Sequence, residues 1–331
     1  MNIFVTGATG FIGGRLAREL VAAGHRVRAL VRDPDKARDL AAAGIELCPG
    51  DIRDKASVHR GMTGATQVYH VAAWYRIGSG DAREAREINV DGSRNVFEAM
   101  RELGVAKGVY TSTIAIFSDT HGHTVDEDTS FSGPYNSVYE QTKAAAHHEV
   151  AVPMMAEGLP LVVVMPGVVY GPGDHSPIRD SLVLLLRGKL PVLPRGTVYC
   201  WGYIDDTVRA HVLAMERGRI GQSYVTAGPV FEFARVFEIA AARASIPAPR
   251  FRLGGEALRK LATATGVLER VVPWVPASYR AESLRSVAGT TSIASSAKAQ
   301  RELQWEPRGL EEGLVETLAY ELRALGITAR A

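Results

Sequence analysis

Val5-Thr6-Gly7-Ala8-Thr9-Gly10-Phe11-Ile12-Gly13-Gly14 decides the fold, because this stretch joins an apolar strand-like run to an apolar segment of helical period, Leu16 to Ala23. A Gly-x-x-Gly-x-x-Gly turn in that position has no Cβ atoms that would keep the backbone from a pyrophosphate, and the first N–H groups of the helix point at the anion. The spacing differs from the Gly-x-Gly-x-x-Gly of most dinucleotide-binding folds, and a turn that serves packing alone is the alternative. The stretch predicts a strand, a phosphate-binding turn and a helix, in that order.

The composition is that of an ordinary globular protein. The 331 residues are 46% hydrophobic and 22% charged, and the net charge of +2 gives no reason to expect a nucleic acid or an anionic membrane as partner. Cys48 and Cys200 are too few for a disulfide framework and lack metal-ligand spacing, so we expect a reducing compartment and no metal. The first strand begins almost at Met1, and the longest apolar runs fall well short of the ~20 residues that cross a bilayer. We therefore expect a cytoplasmic protein without a signal peptide or a membrane span.

Short apolar or β-branched runs alternate with amphipathic segments through the first half of the chain, which predicts a doubly wound parallel sheet with helices on both faces. The expected strands are Asn2 to Thr6, Arg26 to Val31, Ile45 to Cys48, Gln67 to Val71, Gly108 to Thr113 and Leu159 to Met165, with a returning strand near Gln222 to Thr226. The expected helices are Gly13 to Ala23, Lys36 to Ala43, Lys55 to Met62, Ala82 to Leu103 and Val138 to Glu157. Pro153 has no N–H to donate, so it is expected to kink the last helix or to end it early.

The alternation loosens after Gly171, where prolines separate short segments. This change predicts a smaller mixed lobe that binds the substrate, formed by 172–194 and 229–290. The sheet domain is expected to cover 1–171, to be completed by about 195–228 and by part of the C-terminus, and to be followed by C-terminal helices within 291–331. No long linker separates the two parts, so we expect them to share a cleft.

Tyr139-Glu140-Gln141-Thr142-Lys143 begins a helical segment and carries the strongest chemical signal. Residues four apart lie on one helix face, so the phenol of Tyr139 and the ammonium of Lys143 can address the same ligand. A free tyrosine has a pKa near ~10, and a nearby cation lowers it. The same spacing also arises by chance as a solvated pair, but here it follows a strand that ends in the hydroxyls Thr111-Ser112-Thr113. Tyr135 is a weaker candidate, because no lysine follows it by four residues.

The segment Thr-Gly-Ala-Thr-Gly-Phe-Ile-Gly at 6–13 resembles the cofactor loop of the extended short-chain dehydrogenase/reductases, the NAD-dependent epimerase/dehydratase family. Other segments resemble motifs of that family in the family's order, from residue 2 to about residue 320: Gly50-Asp51-Ile52-Arg53-Asp54, His70-Val71-Ala72-Ala73, Asn89-Val90-Asp91-Gly92, Met165-Pro166-Gly167-Val168-Val169-Tyr170-Gly171-Pro172, Ile204-Asp205-Asp206 and Gln304-Trp305-Glu306-Pro307. Met165 departs from the arginine that is usual at its position. The stretches at 27–34 and 71–76 look like the dihydroflavonol-4-reductase-like branch and the bacterial group labelled hopanoid-associated sugar epimerases.

The resemblance implies a Rossmann-type doubly wound α/β fold and hydride transfer at a nicotinamide cofactor. By this resemblance, Tyr139 exchanges the proton with the substrate, and Lys143 binds the nicotinamide ribose and tunes the pKa of Tyr139. Thr113 binds the substrate oxygen, or Ser112 does so if the register shifts by one residue. Asp51 would hold the adenine amino group, although its segment can equally be a loop ahead of a helix cap. The residues expected at the cofactor are Gly7, Thr9, Gly10, Phe11, Ile12, Gly13, Arg32, Asp51, Ile52, Val71, Ala72, Ala73, Thr111, Tyr139, Lys143, Pro166, Gly167, Val168 and Val169.

The end of the second expected strand bears on the choice of cofactor, because the adenosine ribose would lie there. Relatives that use NAD carry an aspartate at the position of Val31, whereas Arg32 follows here and a guanidinium binds a 2′-phosphate bidentately. NADP(H) is therefore favoured over NAD(H), with Lys36 as a weaker second ligand. The alternatives are that Arg32 is a solvated charge and that Asp33 turns back toward a ribose hydroxyl.

The expected reaction is the reduction of a ketone or aldehyde by NADPH. Sugar-nucleotide enzymes of the family carry an arginine at the position of Tyr199, and a diphosphate buried without that cation is costly, so a small, partly apolar carbonyl or alcohol substrate is expected. An NAD(P)-dependent sugar epimerase or dehydratase is the first alternative, and a non-catalytic NADP-binding redox sensor is the second. The resemblance also implies a homodimer through the helices at 82–103 and 138–157, although their apolar stripes can equally pack inside one chain.

Overall fold

The computed structural model describes residues 1–76, 81–269 and 280–327. The parts of the expected substrate lobe at 270–279 and of the expected C-terminal helices at 328–331 lie outside the described residues. The strands are β1 (Asn2–Thr6), β2 (Arg26–Val31), β3 (Glu46–Pro49), β4 (Gln67–His70), β5 (Lys107–Thr111), β6 (Thr124–Val125), β7 (Leu161–Pro166), β8 (Val168–Tyr170), β9 (Val192–Pro194), β10 (Val198–Tyr203), β11 (Ser223–Thr226), β12 (Val230–Glu232), β13 (Phe251–Leu253) and β14 (Thr291–Ala294).

The α-helices are α1 (Phe11–Ala22), α2 (Arg38–Ala42), α3 (Lys55–Met62), α4 (Ala82–Arg86), α5 (Gly92–Glu102), α6 (Val138–Ala145), α7 (Val152–Ala156), α8 (Pro177–Leu186), α9 (Ile204–Arg217), α10 (Phe233–Arg243), α11 (Gly255–Leu268), α12 (Ala281–Ser286), α13 (Ala297–Leu303) and α14 (Leu310–Leu325). Two 3₁₀ helices lie at Pro34–Ala37 and Ile114–Phe117, and two π turns lie at Glu87–Asp91 and Ala146–Ala151. Within the described ranges, no helix combines the length and the apolar character that crossing a membrane requires.

Seven strands form the predicted doubly wound parallel sheet, in the order β11-β7-β5-β4-β1-β2-β3. The order reverses between β1 and β4, so the loops that follow these two strands turn to opposite faces and leave a crevice at the carboxyl edge. The Rossmann-type fold is thereby confirmed. The crevice is the place where such sheets bind their ligands, and both the glycine stretch and His70-Val71-Ala72-Ala73 open onto it.

Two apolar layers cover the sheet, one on each face. Alternate residues of β7 show why its sequence has no polar face: Val162 and Val164 point into one core, and Val163 and Met165 point into the other. Helices α1 and α9 contribute to the first core, and helices α3 and α5 contribute to the second. A strand that is buried on both faces fixes the sheet rigidly, so the loops at its carboxyl edge have a firm base.

A second, smaller sheet corrects two of the expected boundaries. Strand β10 pairs with β8 and β14 in parallel and with β12 antiparallel, and β14 also pairs with β6. The range 195–228 was expected to complete the sheet domain, and α9 and β11 do join it, with β11 as the returning strand predicted near Gln222 to Thr226, whereas β10 belongs to the small sheet. The range 291–331 was expected to be helical, but it begins with strand β14. These short strands find their hydrogen-bond partners far away in the chain, which local sequence patterns do not record.

Local hydrogen bonding explains the differences in element bounds. The strand expected to reach Thr113 ends at Thr111, because Thr113 instead caps the 3₁₀ helix Ile114–Phe117. The expected break at Pro153 is wrong, since helical backbone continues to Ala156. A π turn lies directly before α7, and its wider hydrogen-bond pattern leaves Pro153 in the first turn of the next helical segment, where a missing N–H costs little.

Candidate active site

One cavity of about 730 Å³ lies at the carboxyl edge of the large sheet, between that edge and the smaller lobe. Every residue predicted to act in catalysis or to contact the cofactor lines it: Gly7, Thr9, Gly10, Phe11, Ile12, Gly13, Arg32, Asp51, Ile52, Val71, Ala72, Ala73, Thr111, Thr113, Tyr139, Lys143, Pro166, Gly167, Val168 and Val169. These residues come from stretches more than 150 positions apart in the chain. The parallel sheet brings them together, because all of its strands end at the same edge.

The glycine turn has the shape of a phosphate cradle. Gly7 has φ of +78°, and a Cβ there would lie 2.5 Å from the Ala72 backbone nitrogen, while a Cβ at Gly13 would lie 2.3 Å from the Gly7 carbonyl oxygen. The turn therefore needs both glycines. Helix α1 begins without a side-chain cap or an acidic residue in its first turn, so its first N–H groups are left for an anion in the cavity. These features fit the pyrophosphate of a dinucleotide cofactor.

The adenosine end of the cavity carries the charged residues considered for cofactor choice. The Arg32 side chain is exposed at the cavity edge. The carboxylate of Asp33 instead accepts a hydrogen bond from the Asp35 backbone at 3.1 Å and pairs with Lys36 at 3.2 Å. Asp33 is therefore turned toward its own 3₁₀ helix rather than toward a ribose, and Lys36 is already paired. Of these three residues, Arg32 is the one that lines the cavity.

Asp51 reaches the same end of the cavity from the loop after β3. Its carboxylate accepts hydrogen bonds from the Arg53 backbone at 2.9 Å and from the Arg53 guanidinium at 2.7 Å. These bonds and the charge of Arg53 lower the pKa of Asp51, so the carboxylate is ionised at neutral pH and can accept hydrogen bonds from an amino group.

Tyr139 lies in the first turn of α6, which Ser137 caps by accepting the Glu140 N–H. Its ring meets Tyr75 edge to face, with centroids 4.9 Å apart, and part of it remains exposed to the cavity. Desolvation raises the pKa of Tyr139 to about 12, although a hydrogen bond with Thr113 lowers it in part. The expected lowering by Lys143 is not seen, because the Lys143 ammonium is held by other groups.

Lys143 is almost completely buried one helical turn after Tyr139. Its ammonium donates to the Thr111 carbonyl oxygen at 2.8 Å and to the Tyr110 hydroxyl at 3.0 Å. Desolvation lowers the pKa of Lys143 to about 7. An ammonium carries three protons, so one remains for a group in the cavity.

The two candidate hydroxyls at the end of β5 have different surroundings. The Thr113 hydroxyl accepts the Ala115 N–H at 3.1 Å and bonds with Tyr139. The Ser112 hydroxyl is 3.0 Å from Nδ1 of His147 and is therefore engaged with the helical segment behind the strand. Thr113 is thus the hydroxyl that lies beside Tyr139, in the register that the sequence favoured.

Sequence reasoning missed two residues of the cavity wall, Tyr75 and Asp174. Asp174 is 3% exposed, and its carboxylate accepts hydrogen bonds from the Ser176 backbone and hydroxyl, each at 2.7 Å. Burial raises the pKa of Asp174. Tyr75 belongs to the quoted stretch 71–76, but no role was predicted for it, and Asp174 belongs to none of the quoted motifs. Their positions just after Val71-Ala72-Ala73 and Gly171-Pro172-Gly173, segments that both contribute to the cavity or its border, were the available signal.

Comparisons with known proteins agree with this geometry. The model of the NAD dependent epimerase/dehydratase family matches residues 3–227. The chain is 27% identical to sterol demethylase protein B of Methylococcus capsulatus, over 97% of this chain and 98% of that protein. It is 33% identical to a putative dihydroflavonol 4-reductase of Synechocystis, over 65% of this chain and 63% of that protein. Among solved structures, gox2253 superposes with a TM-score of 0.82 at 30% identity, covering 98% of this chain and 99% of that one.

Proposed function

The chain belongs to the NAD dependent epimerase/dehydratase family, as its motifs predict, and from this premise we propose that it is an NADPH-dependent reductase of a ketone or aldehyde on a mainly apolar substrate. The observation that carries the proposal is the single cavity in which a phosphate cradle, a protonated Tyr139 and an apolar wall meet. NAD(P)-dependent oxidoreductase chemistry is common to the family. The direction of the reaction and the substrate class are the parts that we propose.

The wall on the side of the smaller lobe supports an apolar substrate. Its aliphatic and aromatic residues include Ile178, Leu184, Leu190, Leu193, Phe233, Leu258, Leu284 and Val287. Among the described residues, the lysines and arginines of the cavity wall are Arg32, at the adenosine end, and Lys143, beside Tyr139. Tyr199, at the position where sugar-nucleotide enzymes carry arginine, donates its hydroxyl to the Ser286 carbonyl oxygen at 2.6 Å. In the part of the wall that the structure describes, the substrate side therefore offers no lysine or arginine to a diphosphate, whose burial would be costly.

Each candidate catalytic residue has a role that its surroundings support. A reduced nicotinamide, when bound, supplies the hydride that reaches the carbonyl carbon. Thr113 orients the carbonyl oxygen, and Tyr139, which is protonated at neutral pH, donates the proton that turns this oxygen into a hydroxyl. Lys143 offers its remaining proton to the ribose. The relatives named for a sterol demethylase and a dihydroflavonol reductase are in keeping with an apolar, oxygenated substrate.

The proposal predicts faster turnover of a large apolar ketone than of a small one. With NADPH oxidation as the assay, we expect kcat/KM for 5α-cholestan-3-one to exceed that for cyclohexanone by at least about 10²-fold, because each buried CH₂ contributes about 0.8 kcal/mol. UDP and dTDP are expected to leave the melting temperature unchanged. A rise in melting temperature with UDP or dTDP, together with epimerisation of a sugar nucleotide and no ketone turnover, would establish the sugar epimerase instead, which the family description also accommodates.

The position of Arg32 at the cavity predicts a preference for NADPH over NADH. We expect NADPH to quench tryptophan fluorescence with at least about tenfold higher affinity than NADH, a difference of about 1.4 kcal/mol. Arg32→Ala should remove most of that difference while leaving NADH binding unchanged, since the guanidinium faces the 2′-phosphate only. Lys36→Ala, which removes a cation already paired with Asp33, is the matched control and should leave the preference intact. Equal binding of NADH and NADPH by the wild type would contradict the role of Arg32.

A further inference from the structure

A chain of buried polar side chains lies behind Lys143, outside the cavity. The Lys143 ammonium is 3.0 Å from the Tyr110 hydroxyl and 4.6 Å from the centre of the Tyr110 ring. The Tyr110 ring stacks on the His70 ring with centroids 5.4 Å apart, and Nε2 of His70 is 3.0 Å from the Ser93 hydroxyl. Nδ1 of His70 is 2.7 Å from the Thr6 hydroxyl, and Thr6 directly precedes the phosphate cradle.

The direction of each hydrogen bond in this chain follows from its fixed ends. Ser93 donates its proton to the Asn89 carbonyl oxygen at 2.6 Å, so its oxygen accepts from Nε2–H of His70. Burial lowers the pKa of His70 to about 3, so the ring is neutral and its Nδ1 accepts the Thr6 proton. The Tyr110 oxygen accepts a hydrogen bond from the Lys143 ammonium, which can only donate.

The side chains of this chain are shielded from solvent. Lys143 is 2% exposed, Ser93 is 1% exposed, and Thr6, His70 and Tyr110 are fully buried. A polar network that is buried and fully satisfied holds its members in one arrangement, because breaking any bond leaves a buried group unpaired. A network of this kind is suited to holding a side chain in place.

We propose that Tyr110 is a positioning residue: its phenol oxygen holds the Lys143 ammonium at the cavity, and its ring, stacked on His70, ties it to the strand that ends in the phosphate cradle. The link to the cradle has two connections, because the Thr6 hydroxyl also accepts the backbone N–H of Ala72, a cavity residue, at 3.3 Å. This inference rests on the proposed function for the role of Lys143 in turnover, but not for the geometry around it.

Tyr110→Phe tests the proposal, with Tyr69→Phe as the matched control. Tyr69 is equally buried on the neighbouring strand β4, but its side chain lies in the core on the opposite face of the sheet. The first readout is an NMR titration of the Lys143 amine in protein with labelled lysine, assigned through Lys143→Arg. Because an acceptor of the charged form is lost, Tyr110→Phe should lower the pKa of Lys143 by about one unit, and Tyr69→Phe should not change it.

The other titratable groups around Lys143 do not obscure this readout. His70 and His147 both have a pKa lowered to about 3 by burial, and Tyr139 has a pKa raised to about 12, so none of them titrates between pH 5 and 9. Ser93→Ala is a second variant, which leaves Tyr110 in place but removes the hydrogen-bond partner of His70, on which the Tyr110 ring stacks. A smaller decrease in the same pKa is expected there. An unchanged pKa of Lys143 in Tyr110→Phe, in folded protein, would overturn the proposal.

The second readout is the pH profile of kcat/KM for ketone reduction. Its basic limb should move to lower pH in Tyr110→Phe by the same amount as the amine titration, which a general loss of packing would not produce. A lowered amine pKa in a protein that turns over no ketone would support the positioning role and contradict the proposed function. Normal turnover with an unmoved limb and an unmoved amine pKa would contradict the positioning role alone.

Discussion

Tyr139→Phe is expected to lower kcat for ketone reduction by about 10²–10⁴-fold, the range in which a positioned general acid contributes. The substitution removes the hydroxyl and leaves the ring, so the edge-to-face contact with Tyr75 and the packing of α6 should persist. NADPH affinity should therefore change by less than about threefold, since the ring stays in place and the cradle around Gly7 and Gly13 is not altered. The measurement is steady-state kinetics beside a fluorescence titration.

The matched control is Tyr135→Phe, four residues earlier. Tyr135 is partly buried against Phe131, with ring centroids 5.5 Å apart, and it is absent from the described wall of the cavity. Its loss should leave kcat unchanged. If Tyr139→Phe kept more than about a tenth of the wild-type kcat, less than about 1.4 kcal/mol of the barrier would depend on this hydroxyl, and another acid would have to be sought.

The pH dependence of the reverse reaction gives a further check on the same residue. Alcohol oxidation needs Tyr139 as a base, and its pKa of about 12 keeps it protonated through the neutral range. The oxidation rate should therefore rise with pH across that range, while reduction does not require deprotonation of this group. The predicted increase of the oxidation rate with pH follows from the burial of Tyr139, which the sequence alone did not indicate.

The residues on the cofactor side of the cavity could be predicted from the sequence, because the motifs that indicate them are short and local. Gly7 and Gly13 are required by a turn that joins adjacent elements, and Tyr139 and Lys143 share one helix face by their spacing. The alternation of strands and helices then implies a parallel sheet, whose strands end at one edge. Because the strands end at one edge, the predicted cofactor residues between Gly7 and Val169 lie around one cavity.

The remaining features depend on contacts between distant parts of the chain. Strand β10 pairs with β8, some thirty residues earlier, and with β14, some ninety residues later, and the sequence did not predict this small sheet. The pKa of Lys143 depends on how deeply its side chain is buried, and the spacing of residues in the sequence does not indicate that burial. Tyr110 gave only a faint signal, a phenol in an apolar strand that needs a polar partner when buried. Its partners are contributed by β4 and α6.

Lys143→Met is expected to abolish turnover and yet to stabilise the protein. In the unfolded chain a lysine has a pKa near 10.4, whereas burial lowers the pKa of Lys143 to about 7 in the folded protein. Below about pH 7 the folded protein carries the full cost of a buried ammonium, roughly 4 kcal/mol from this difference. Between about pH 7 and pH 10 the unfolded state binds more protons than the folded state, so that cost declines as the pH rises.

Methionine removes the charge but also the hydrogen bonds to Tyr110 and Thr111, each worth about 1 kcal/mol. The net gain in the free energy of unfolding should be about 2–3 kcal/mol at pH 6, should decrease as the pH rises, and should become a net loss near pH 10, where the two missing hydrogen bonds are the remaining effect. Denaturant unfolding at several pH values, without cofactor, measures it. A gain that depends on pH in this way would show that the Lys143 ammonium destabilises the folded protein. The site then retains this buried charge for catalysis.

Lys107→Met is the control for this experiment, because Lys107 begins the same strand β5 at the opposite edge of the sheet. Its ammonium donates to the Met215 and Gly218 carbonyl oxygens at 2.6 and 2.7 Å, and it lies outside the described cavity wall. Turnover should survive that substitution. Should Lys143→Met instead destabilise the protein at pH 6, or change its stability equally at every pH, Lys143 would be a structural residue with an ordinary pKa. The proposed contact between a low-pKa Lys143 ammonium and the ribose would then have no basis.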